Sequence, residues 1–160
     1  MFLLTQLVFL TATGSNPGHA SVIEDPKTGL QTYAWSLDRG KKHYEVVMSA
    51  RALHLGHGPL NPRGIVFGKP ANGAEATMPA TQFSTVAIVE GDKQFLVPRR
   101  LISDCFVPHL GTDLSKPEVK LLPNGKLKIV VEGADGVASY TLTLTVSPNG
   151  QVTRHIEGSL

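Results

Sequence analysis

The sequence predicts an all-β domain, an antiparallel β-sandwich or small barrel that ends in a C-terminal meander. Three observations carry this prediction. Tyr140-Thr141-Leu142-Thr143-Leu144-Thr145-Val146 alternates apolar and polar residues without a break, the period-two pattern of a half-buried strand. The tripeptide Pro-Asn-Gly recurs at 123–125 and 148–150, each time opening a predicted strand. No segment carries a capped apolar stripe at helical spacing, although Arg99 to Cys105 has room for one turn.

The meander is the clearest part. Tyr140, Leu142, Leu144 and Val146 share one face and the three threonines the other. Pro148-Asn149-Gly150 follows, where Asn-Gly predicts the positive φ angles of a tight hairpin, and Gln151 to Glu157 returns as the partner strand. Upstream, Lys126 to Glu132 is another strand, joined to the threonine strand through Gly133-Ala134-Asp135-Gly136. Both Pro-Asn-Gly copies open strands that close on Glu-Gly, which marks successive turns of one meander; two copies do not make a solenoid.

Earlier strands follow from the same reasoning. His43 to Leu53 alternates Tyr44, Val46, Met48, Ala50 and Ala52 against His43, Glu45, Val47, Ser49 and Arg51. Read as a helix, its apolar residues would spread around the whole surface. Thr32 to Leu37, Gly64 to Phe67, Phe83 to Val89, Gln94 to Val97 and Asp104 to Val107 complete the set, with Glu90 to Lys93 as a turn. Gly56 to Arg63 and Lys69 to Thr81 read as irregular loops.

Length and composition permit one self-sufficient core. The 160 residues fit a single domain, and Gly 16 with Pro 11 punctuate many short elements. One cysteine, Cys105, rules out an intrachain disulfide. A net charge of +2 is too close to neutral to predict a nucleic-acid surface. Lys41-Lys42 and Arg99-Arg100 stand alone and read as solvated turn residues.

Residues 1–20 read as a signal peptide and 21–160 as a single β domain. MFLLTQLVFL is an apolar run too short to span a bilayer, and no Asp, Glu, Lys or Arg occurs from Met1 to Ser21. Gly18 and Ala20 place small residues at −3 and −1 before Ser21, and Ala12 and Gly14 do so before Ser15. The run lacks the usual preceding Lys or Arg. No lipobox cysteine lies near these positions, so no stable membrane anchor is expected after cleavage, and the destination is secreted or periplasmic.

Catalytic motifs are missing from the sequence. There is no Gly-x-Ser-x-Gly elbow, no phosphate-cradling glycine loop, and no acidic pair that nominates a glycosidase. His54 and His57, with Cys105 and His109, have the ligand types of a tetrahedral zinc site, which His43 and Glu45 could enlarge. Cys105 with His57 or His109 as base has the residue types for thiolate attack, but Asp104 beside it raises the thiol pKa. The threonine row is too short for an ice-binding array. The expected function is an exported, non-enzymatic domain that binds a protein or small ligand, with no cofactor. The alternative is a small zinc-binding protein or hydrolase centred on His54 and His57.

Overall fold

Alternating sequences become strands when one face finds a second layer to bury it, and this chain supplies two such layers. The computed structural model describes residues 18–52, 65–66, 69–70, 81–106, 108–111, 116–134 and 139–158. Its strands in chain order are β1 (His19–Asp25), β2 (Leu30–Arg39), β3 (Lys42–Ala52), β4 (Ile65–Val66), β5 (Lys69–Pro70), β6 (Thr81–Glu90), β7 (Lys93–Leu96), β8 (Glu118–Leu121), β9 (Leu127–Gly133), β10 (Tyr140–Val146) and β11 (Val152–Gly158). The order β1-β2-β3-β6-β7 makes a five-stranded sheet and β11-β10-β9-β8 a four-stranded one, both antiparallel. They do not close into a barrel, so the fold is an all-β sandwich. Among the described residues, β4 and β5 pair only with each other.

The inner faces share one hydrophobic cluster. Tyr33, Trp35, Val46, Met48 and Ile88 enter it from the larger sheet, and Ile129, Val131, Leu142 and Leu144 from the smaller. Each fully buried aliphatic side chain contributes about 1.5–3 kcal/mol against its exposed state. The Tyr33 hydroxyl donates to the Pro117 carbonyl at 3.0 Å, tying β2 to the segment that leads into β8.

The C-terminal meander forms as expected, with Tyr140–Val146 matching the alternating heptapeptide residue for residue. Its turn differs in detail. Gly125 and Gly150 have positive φ, at 77° and 83°, and the preceding asparagines do not. Proline presets a type I turn, so asparagine takes the next position and the left-handed residue is the glycine after it. The two copies bond alike: Gly125 N–H donates to Leu122 O at 3.0 Å and Gly150 N–H to Ser147 O at 2.8 Å. Asn124 and Asn149 each accept from the backbone N–H two residues on, both at 3.1 Å.

Two expectations are corrected. The strand expected at Asp104 to Val107 is replaced by isolated bridges, Gln82 to Phe106 and Pro108 to Gly133; Val107 lies outside the described residues. Lys69-Pro70, read as loop, pairs with Ile65-Val66. Two further strands, β1 and β8, carried no clear sequence signal. The helical turn is a single 3-10 turn at Arg99–Leu101. The Gly56 to Arg63 loop, the Asp135-Gly136 connection, and the apolar run at Met1 to Leu10 with Ala12-Thr13-Gly14 lie outside the described residues.

Candidate functional site

Two regions gather unusual chemistry: the segment that crosses between the sheets, and the outer face of the five-stranded sheet with its edge at β1.

The crossing segment starts where the 3-10 turn ends. Ile102, 1% exposed, plugs the core, and the chain turns through the Cys105 N–H to Ile102 O bond at 3.1 Å. Phe83 N–H then donates to Cys105 O on the side of β6, and His109 N–H to Glu132 O, 2.8 Å, on the side of β9. One short stretch therefore belongs to the larger sheet at its start and to the smaller one at its end. The Gln82 amide donates to the Ser103 carbonyl and holds the start in place. Arg154, on the inward face of β11, reaches Asp104 at 2.8 Å.

Cys105 is completely buried. Burial, then the Asp104 charge, push its thiol up to about 12, with Arg154 opposing. The thiol is protonated at neutral pH, whereas nucleophilic attack needs the thiolate. Its hydrogen faces Asp104 Oδ1 at 3.9 Å, a weak contact typical of a small core residue. Tyr140 is nearby. Its hydroxyl is buried without a hydrogen-bond partner among the described residues, and burial raises its pKa.

The predicted metal ligands divide. Cys105 and His109 lie on this one segment, both buried. His54 and His57 lie outside the described residues. Among the described residues no three His, Cys, Asp or Glu side chains group to hold a metal ion. His43 stands at the far end of β3 from Ala52, roughly 30 Å along a strand that rises about 3.3 Å per residue. Its Nδ1 meets Asp38 Oδ1 at 2.7 Å. Of the isolated basic pairs, Lys42 is bonded to Glu90 at 3.0 Å.

The outer face of the larger sheet was not anticipated. Cross-strand pairing lines up Ser21, Ala34, Val47, Ala87 and Leu96 as one uncharged row across all five strands. Beside it runs Ile23-Thr32-Ser49-Thr85. Charge flanks these two rows at Asp25, Asp38 and Glu45; the outer face of the other sheet carries Lys120, Lys128, Glu132, His155 and Glu157. Among the described residues the large apolar side chains left exposed are Val22, Ile23, Leu30 and Leu96. All four belong to the larger sheet, and Ile23 and Leu96 are more than 60% exposed. Single exposed apolar residues are ordinary. Ile23 and Leu30 are neighbours on the outer face at the β1 edge, whereas Leu96 is at the far edge of that face and Val22 stands opposite the inward-facing Tyr33; the Ile23–Leu30 neighbourhood is therefore the candidate interaction surface.

β1 is also an edge strand: among the described residues it pairs with β2 alone, and its charges, Glu24 and Asp25, stand at its end. Edge strands are normally blunted by lysine, proline or a bulge. HASVIED contains neither residue, and its seven pairs with β2 run without a register shift. Val22 anchors it by covering Gly111, where any Cβ would overlap the valine.

Comparison with protein-family models, curated proteins and solved structures finds no match to this chain.

Proposed function

We propose that this chain is an exported, non-catalytic binding domain of the cell envelope or the extracellular space. It takes an extended segment of a partner protein alongside β1, against the uncharged row that Ser21, Ala34 and Val47 begin on the outer face of the five-stranded sheet. The observation that carries this reading is that, among the described residues, the exposed large apolar side chains all belong to that sheet, with Ile23 62% exposed on its edge strand β1. An added strand would gain backbone hydrogen bonds from β1, and the pockets between alternate side chains would select its sequence. Export is supported by the short apolar run at Met1 to Leu10 and the small residues that follow.

The test compares three forms of the whole chain in the cells that make it. Ile23→Lys places a charge on the proposed surface, and Thr143→Lys places one on the outer face of the other sheet. A partner that co-isolates with the unaltered chain and with Thr143→Lys, and is lost with Ile23→Lys, supports the reading. Equal recovery with all three forms overturns it.

A further inference from the structure

Two positions in the N-terminal region satisfy a signal peptidase, which needs small residues at −3 and −1. One is before Ser21, after Gly18-His19-Ala20; the other is before Ser15, after Ala12-Thr13-Gly14. The residues around the two positions make them unequal for the folded domain.

We infer that the exported chain is cut between Gly14 and Ser15. The inference rests on the export reading above and adds to it the processing site. β1 begins at His19, ahead of the second position. His19 pairs with Ser36 and Ala20 with Trp35, so a cut after Ala20 removes two of the seven β1–β2 pairs. It removes Gly18 as well. Gly18 lies so close to the Trp35 indole that any Cβ there would run into the ring. Trp35 is 6% exposed and belongs to the central cluster, so losing this cover opens the core at the tryptophan. The cut would also leave a charged amino group on Ser21, at the end of the uncharged row that continues through Ala34 and Val47. A cut before Ser15 does none of this, and leaves Gly18 and all of β1 in the mature chain.

Spacing favours the same bond. Residues 11–14 are the only four between the apolar run and the Gly14–Ser15 bond, whereas ten, including Pro17, precede Ser21. A peptidase acting at the membrane surface reaches a short spacer directly. The step is a hydrolysis: water adds across the Gly14–Ser15 amide, Gly14 leaves with the new carboxylate, and Ser15 keeps the amino group.

The test is the intact mass and N-terminal sequence of the exported protein, made from the full chain. A mature chain that starts at Ser15 is the expected result, and one that starts at Ser21 or at any other residue overturns the inference while leaving export standing. A chain found only inside the cell with residues 1–14 still attached overturns the export reading and the inference together. Two variants check the assignment. Gly14→Leu, which blocks −1 of the first position, is expected to accumulate precursor. Ala20→Leu is expected to give a mature protein that still starts at Ser15; the reverse pattern overturns the inference.

Discussion

The ring of Tyr140 lies across Gly133. The two residues stand opposite each other in the β9–β10 ladder, and the ring fills the space that a Cβ on Gly133 would need. The missing side chain makes room for the ring, whose hydroxyl is buried without a partner among the described residues.

Gly133→Ala is therefore expected to destabilise the domain by about 1–3 kcal/mol, the usual cost of forcing atoms into a packed core. Tyr140→Phe is expected to be neutral or to stabilise by up to about 1 kcal/mol, since it removes a buried polar group that makes no bond. Urea unfolding of both variants checks the pair.

The repeated Pro-Asn-Gly turns make an internal control. Gly125 and Gly150 share the left-handed conformation, which costs a residue with a Cβ roughly 1 kcal/mol. Around Gly125 the added carbon would meet Pro148 at 3.5 Å, an ordinary contact, whereas at Gly150 it would meet the Phe95 ring at 2.6 Å. Gly125→Ala is expected to cost about 1 kcal/mol, and Gly150→Ala clearly more. Equal losses in thermal unfolding would contradict the packing of Phe95 against that turn.

Cys105 sets an alkaline limit. Its folded pKa is raised, by burial first and then by Asp104, to about 12 from an ordinary value of 9.0. Below pH 9 the thiol is protonated in both states and its contribution is complete. Above pH 9 the unfolded chain releases the proton first, so stability falls progressively toward pH 12. Cys105→Ala is expected to reduce the slope of unfolding free energy against pH in this window. Alkylation of the native thiol at pH 8 is expected only at the rate of unfolding.

The Asp104–Arg154 pair fastens the crossing segment to β11. Its side chains are 32% and 20% exposed, between a solvated pair and a fully buried one. Arg154→Met is expected to cost about 1–2 kcal/mol. High salt is expected to weaken the unaltered protein more than the variant, measured as a shift in urea midpoint.

Legibility followed burial. Strands with one buried face, such as Tyr140–Val146 and Lys42–Ala52, wrote their alternation into the sequence, because burial selects the residue at every second position. β1 is exposed along nearly its whole length, so no alternation marks it, and its small residues resemble the end of a leader. β8 has only Val119 and Leu121 between charged residues after Pro117, too few for a period to show. The uncharged row on the larger sheet is invisible to a reading along the chain, because its five residues come from five strands and become neighbours only through register. Cys105 and His109 were legible as residue types. Their burial was not, since it depends on a segment that leaves one sheet for the other.

The most direct test of β1 as the docking edge is photo-cross-linking from position 23 in the cells that make the protein, with position 143 on the opposite outer face as the comparison. The proposal predicts a discrete protein adduct from position 23 and none from position 143. Adducts of the same identity from both positions, or none from position 23, would contradict it.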